Sequence, residues 1–339
     1  MNLKFYLNFY ALLELHPVTR EENRAFGLAH VLIKNKPLEQ LITWTDTYKS
    51  KLKEPRLSET FISYLYGITF TLVVMAFVLG LLSGVGLLSY SGHEPVNVIY
   101  FMAVAGFLPL LTMTLALFSM LRIGNIRNVL VHLSPAFWME KILGFLPHSM
   151  QENMKAVKIN PLLANWIIIK RSQVIALFFS FGLLLALIAV VVTKDIAFSW
   201  STTLHITPEA FHRFLYTSAL PWRDLFPSAV PSLELIEQSQ YFRLGDKLSE
   251  EMIKHASKLG EWWKYLTFAT LFYAIGLRLL MLLLSSFGVK HAVKQSCFTL
   301  PGAIKLLKEI NEPIISTHAD KTEVVFHEEC YLYGQTIQM

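Results

Sequence analysis

Four apolar runs, each long enough to cross a bilayer, leave this chain few ways to fold. They cover residues 61–90, 96–121, 173–193 and 264–288, and the first three contain no Asp, Glu, Lys or Arg. A spanning helix needs about 20 apolar residues, so every run suffices. Composition agrees: 53% of residues are apolar and 16% charged, where soluble domains carry about 25% charge, and the mean hydropathy is +0.43. The expected fold is all-α: an integral membrane protein with four transmembrane helices and a mostly helical extracytoplasmic domain between helices three and four.

The runs divide the chain. Residues 1–60 form an N-terminal cytoplasmic helical arm, and 61–121 a transmembrane hairpin with spans at about 61–90 and 96–121. A cytoplasmic helical segment, 122–172, leads into the third span at 173–193. The extracytoplasmic domain, 194–263, precedes the fourth span at 264–288, and a cytoplasmic tail covers 289–339. The sides follow from Lys and Arg near the span ends. Lys49, Lys51, Lys53 and Arg56 precede the first span, Arg122 and Arg127 follow the second, Lys170 and Arg171 precede the third, and Lys290 and Lys294 follow the fourth. Both termini are therefore expected inside. The 194–263 segment has seven Lys or Arg against nine Asp or Glu, and long segments cross largely regardless of charge.

Local signals place further helices. Met1 to His16 is apolar with aromatics, interrupted by Asn8 and Glu14, and reads as an amphipathic helix on the membrane or on a partner rather than a signal peptide. Thr19 with Glu22 forms a capping box that starts a helix running to about Lys34. Pro37 opens a second helix, to about Lys53. Helices are expected at 125–132 and 136–146, the latter interfacial with Trp138. A long helix starts at Pro161. Thr207-Pro208 and Pro231-Ser232 start short helices to about Ala219 and Gln238, with others over Leu248–Leu259 and Pro301–Asn311. Residues 323–326 and 330–333 read weakly as strands. Pro109 is expected to kink the second span. Gly80, Gly84 and Gly86 in the first span suit either close helix approach or lipid-exposed bends.

Chemistry is sparse. Arg278 stands inside the fourth run, roughly 15 Å along the helix from the run's end at about 1.5 Å per residue. A buried arginine costs at least about 2.5 kcal/mol on insertion scales. It is the candidate intramembrane polar site, and the spans supply no acid for it. Snorkelling, a hydrogen bond to a hydroxyl or carbonyl, and a permeation path all remain open. Trp200, Ser201, Thr202, Thr203, Trp222, Tyr241 and Phe242 make a candidate extracytoplasmic surface, and Trp262 and Trp263 candidate interfacial anchors. Ser201 has His205 and His212 near in sequence, but no Gly-x-Ser-x-Gly motif accompanies it. His318, His327, Glu328 and Cys330 match no standard zinc spacing. No catalytic residue, cofactor or metal is expected. No basic run interleaved with stacking aromatics points to nucleic acid. Cys297 and Cys330 are expected reduced on the inner side.

Several short stretches carry a resemblance. Asp195-Ile-Ala-Phe-Ser-Trp-Ser-Thr-Thr-Leu204, Ala219-Leu-Pro-Trp222, Pro231-Ser232, Ser239-Gln-Tyr-Phe-Arg-Leu244, Gly260-Glu-Trp-Trp263, Tyr273 and Arg278, with Pro95-Val-Asn-Val98, resemble an uncharacterised bacterial membrane family, catalogued as domain of unknown function 2868. The likeness covers most of residues 60–290. It implies the bacterial inner membrane and carries no catalytic residue over. Genes of that family often lie beside one for a GTPase-like protein, which implies such a partner. The expected function is a membrane scaffold or receptor that recruits a cytoplasmic GTPase-like protein. The alternative is a subunit of a homo-oligomeric channel or transporter with Arg278 lining the path. A hydrolase built on Ser201 is a third reading.

Overall fold

The computed structural model describes residues 1–52, 56–89, 95–121, 159–204, 206–241 and 256–312. Trp138, the helices expected at 125–132 and 136–146, Phe242, His205 and the tail beyond 312 lie outside them. So do most of the helix expected at Leu248–Leu259, the strands expected at 323–326 and 330–333, and the cluster of His318, His327, Glu328 and Cys330.

Among the described residues four helices are long and apolar enough to cross a membrane: Leu57–Leu87, Val98–Met120, Pro161–Thr193 and Trp262–Phe298. The chain is a mostly helical, multi-pass membrane protein. The helices at Leu57, Pro161 and Trp262 outrun the apolar stretches that announced them, because each extends into a domain at one end of the spans.

Spans one and two are neighbours in sequence but pack together chiefly near their turn; span one instead lies along span three. Glycine explains this choice. A Cβ on Gly80 would overlap the carbonyl oxygen of Phe179, one on Gly182 that of Phe77, and one on Gly84 the Cβ of Ala186. Where lipid tails give no hydrophobic drive between helices, such backbone-to-backbone approach is what binds them. Phe61 and Leu65 share one core with Leu163 and Ile167, and Leu88 shares the other with Leu183 and Leu187, so the two spans run parallel. Gly86 meets nothing within 4 Å; it belongs to the other, lipid-facing reading.

Span two is interrupted by a π-helical turn at Ala103–Phe107. Pro109, which lacks an N–H and crowds the carbonyl four residues back, follows directly. Span four carries its own π-helical turn at Thr270–Gly276, and the two bulged segments pack against each other.

The base lies where spans one, three and four begin or end. Helix α1, Leu3–Glu14, is buried against the chain's own spans, which is the partner its apolar surface required. Tyr6 Oη accepts from the Asn160 N–H at 3.3 Å, and Lys4 pairs with Glu59 at 3.0 Å. Helix α2, Arg20–Ala29, begins with the Thr19–Glu22 capping box. It stops five residues short of Lys34, because His30 leaves helical geometry (φ −120°, ψ 47°) and a short 3-10 turn, Val31–Ile33, follows. Helix α3, Pro37–Tyr48, completes the arm. A further helix, Ala303–Asn311, starts after Gly302 takes a left-handed φ of 86°, a conformation glycine adopts without penalty.

Polar bonds tie that last helix to the arm. Trp44 Nε1 donates to Asn23 Oδ1 at 2.8 Å, Asn23 Nδ2 donates to Glu309 at 2.8 Å, and Gln40 Nε2 donates to Asn311 Oδ1 at 2.8 Å. Arg20 pairs with Glu312, which holds the Glu312 carboxyl below the usual carboxylate range. The hydrogen bond from Lys51 does the same for Glu22.

Candidate functional site

The cap, built from residues between spans three and four, gathers the quoted motifs around two short strands. Val96–Asn97 (β1) pairs in parallel with Phe198–Ser199 (β2), Val96 opposite Phe198 and Asn97 opposite Ser199. The pairing continues as a bridge from Trp200 to Gln240. The start of span two is thereby stitched to the chain leaving span three, and that chain to the segment before span four. Two helices complete the cap as expected from their caps: Pro208–Ser218 after Thr207, and Leu233–Gln238 after Ser232. The Glu209 carboxyl, at the start of the first, is held low by its own backbone N–H and by the Thr207 hydroxyl.

Trp200 is fully enclosed. Its Nε1 donates to the Ile236 carbonyl at 2.7 Å, and its ring lies 4.6 Å from that of Phe211. Trp262, expected at the membrane interface, is also wholly buried and donates to Ser239 Oγ at 3.1 Å. Trp263 is half-buried. Ser201 receives Asn97 Nδ2 on both its carbonyl (3.0 Å) and its hydroxyl (3.1 Å); the amide uses this serine as a strut. Thr202 Oγ1 accepts from the Leu204 N–H at 3.2 Å within a turn, Thr203 is exposed and Tyr241 half-buried. Of the proposed surface, Trp200 and Trp222 are buried and hold the cap together, Ser201, Thr202 and Tyr241 are half-buried, and Thr203 is exposed. Tryptophan serves a membrane interface and a protein core equally well, and composition alone does not choose.

Trp222 seats the cap on span four. Its ring lies 5.7 Å from Tyr265, 6.2 Å from Phe268 and Phe272, and 6.0 Å from Tyr273. Its Nε1 is buried without a hydrogen-bond partner. Beside it, Tyr273 Oη donates to the Ser218 carbonyl at 2.5 Å, and the Tyr265 and Ser218 hydroxyls are 2.6 Å apart. Ser218 and Tyr265 contribute without any mark in the sequence, whereas Asn97 lies in the Pro95-Val-Asn-Val98 stretch. Asn97, a polar residue at the mouth of an apolar run, was the one with a readable signal.

The Arg278 side chain packs within the chain itself. It is 5% exposed, and Nη2 donates to Thr112 Oγ1 on span two at 3.2 Å. Nε is buried without a partner, and no carboxylate pairs with it among the described residues. Trp166 lies over Gly288, so the Lys170–Arg171 layer, one turn further along span three, sits roughly 8 Å from Arg278 at about 1.5 Å per residue. Replacing one buried, poorly partnered charge by an apolar side chain of similar volume is usually neutral or stabilising. Arg278→Met is therefore expected to melt at or above the parent temperature in detergent. Thr112→Val, which strips the guanidinium of its bond, is expected to cost about 1–3 kcal/mol. A clear fall in melting temperature for Arg278→Met would show that the arginine holds the spans together.

No group of three or more His, Cys, Asp or Glu side chains that could hold a metal occurs among the described residues. A family model described as "Protein of unknown function (DUF2868)" matches residues 144–329, more than half of the chain. The match takes in spans three and four, the cap and part of the tail; it begins after the first hairpin, which the resemblance over residues 60–290 includes, and ends beyond it in the tail. No curated protein and no solved structure matches.

Proposed function

The chain belongs to the DUF2868 family of proteins of unknown function, and on that premise we propose that it is a membrane scaffold or receptor. In this reading it lies in a bacterial inner membrane with the cap outside and the base in the cytoplasm, where the base recruits a soluble GTPase-like partner. The observation that carries it is an apolar corner on the base. Leu28, Val31 and Leu32, at the junction of α2 and α3, are 50%, 62% and 97% exposed, and Lys34 and Lys36 stand exposed beside them. Apolar side chains at the tip of an otherwise well-packed helical domain, rimmed by lysines, suit an acidic-rimmed protein groove. The neighbouring gene product implied by the family resemblance supplies the partner class.

Trp44 is 1% exposed; replacing it would disturb the arm rather than report on docking. Leu32→Glu is the informative variant. It is expected to weaken recruitment of the partner at least tenfold while leaving the melting temperature within about 1 °C, since surface substitutions usually stay within about 0.5 kcal/mol. Unchanged recruitment, measured by pull-down against the purified GTPase-like protein in GTP and in GDP, would sink this contact. The channel reading needs Arg278 on a path between copies. The guanidinium lies within one chain, against Thr112, and this favours the scaffold.

A further inference from the structure

We propose that residues 217–230 of the cap form a wedge that sits in the lipid leaflet on the cap side, with the acyl boundary of the bilayer as its partner. The inference goes beyond the scaffold reading and does not depend on which side the cap faces.

The segment is a pair of tight helical turns: Trp222 and Arg223 N–H groups bond to the Ala219 carbonyl, and Leu225 and Phe226 N–H groups to the Trp222 carbonyl. These bonds satisfy four of the segment's N–H groups, and Pro221 and Pro227 carry none, which lowers the cost of entering a low-dielectric layer. It is held beside span four by the Ser218 bonds to Tyr265 and Tyr273 and by the Trp222 ring cluster. Phe226 lies 4.8 Å from Phe268, ring to ring.

Depth follows from span four itself. Lys264, paired with Glu261 at 3.5 Å, marks the polar level at the helix start. Phe268 and Tyr273 come four and nine residues later, roughly 6 and 14 Å deeper at about 1.5 Å per residue. Trp222 touches both, so the wedge lies below the headgroup level. Its outward side chains are apolar: Leu220, Leu225 and Phe226 are 61%, 76% and 50% exposed. They continue the face of span four, where Leu271 and Phe272 are also exposed. That continuity with an established lipid-facing surface identifies the occupant as lipid.

The charged residues fit the same placement. Arg223 stacks 4.4 Å over the Tyr216 ring and pairs with Asp224 at 3.5 Å. A neighbouring charge pair on an otherwise apolar turn is what an interfacial segment presents to headgroups while its apolar side chains reach about 5–10 Å inward.

The test uses the full chain with Cys297→Ala and Cys330→Ser, reconstituted in phosphatidylcholine–phosphatidylglycerol vesicles. An environment-sensitive fluorophore is attached through Leu225→Cys, through Leu220→Cys, or through Asp46→Cys on the base as the aqueous reference. All three positions are exposed, so labelling leaves the packing intact. Lipids brominated near the carbonyl end of the chain are expected to quench the Leu225 and Leu220 probes at least twofold more than the Asp46 probe. Quenching equal to that at Asp46 would overturn the proposal and leave the apolar turn as a surface for protein.

Discussion

Gly182→Leu is expected to leave no folded, monodisperse protein, whereas Gly86→Leu purifies and melts like the parent chain. Both glycines lie in apolar spans and no propensity scale separates them. The difference is what a side chain would strike. At Gly182 a Cβ runs into the Phe77 carbonyl, and at Gly80 into that of Phe179. Backbone cannot swing aside as a side chain does. Overpacking typically costs about 1–3 kcal/mol when neighbours yield, and here the cost includes the separation of two spans along their main contact. Gly84→Ala meets the Ala186 Cβ at 2.4 Å and the Leu183 carbonyl oxygen only at 3.2 Å and should fall between the extremes. Size-exclusion profiles and melting curves in one detergent would rank the three variants. Equal behaviour of Gly182→Leu and Gly86→Leu would mean that spans one and three do not pack through glycine.

The second large effect lies in the cap, and a pair of tryptophans makes it specific. Trp200→Ala and Trp222→Ala are each expected to cost about 3–5 kcal/mol, the usual range for emptying a core aromatic site. Phenylalanine separates them. Trp200 Nε1 makes the shorter of two bonds to the Ile236 carbonyl, 2.7 Å against 3.3 Å from the Ser239 hydroxyl, so Trp200→Phe loses one buried hydrogen bond and should cost a further about 0.5–1.5 kcal/mol beyond the smaller ring. Trp222 Nε1 has no partner to lose, so Trp222→Phe should be close to neutral. Near-ultraviolet circular dichroism during denaturation reads both. A Trp222→Phe variant as weak as Trp200→Phe would reveal a bond for the indole.

Local punctuation in the chain was readable and mapped onto the fold. The Thr19 capping box, the Asn160-Pro161 start, and the Thr207 and Ser232 caps sit at the beginnings of their helices, because a cap is a contact between residues two or three apart. Non-local choices were not readable. Nothing in Val96–Asn97 names Phe198–Ser199 as its strand partner, about a hundred residues on. The π-helical turn at Thr270–Gly276 packs against another bulge in span two, a contact that no local pattern announces. Arg278 could be recognised as costly but its hydroxyl, Thr112, could not be chosen from the many in apolar runs. Trp200 and Trp222 are expected on an extracytoplasmic surface and Trp262 at the membrane interface, while all three are enclosed by the chain's own side chains. The residue type was informative, and the environment came from contacts between distant segments.

The most direct test of a scaffold whose base faces the cytoplasm is sidedness. In the chain with Cys297→Ala and Cys330→Ser, Leu32→Cys reports the base and Glu209→Cys the cap; both positions are exposed. Spheroplasts are treated with a membrane-impermeant maleimide before and after permeabilisation. The account predicts that Glu209→Cys labels in intact spheroplasts and Leu32→Cys only once the membrane is opened. Labelling of Leu32→Cys in intact spheroplasts would put the base outside and contradict recruitment of a cytoplasmic partner.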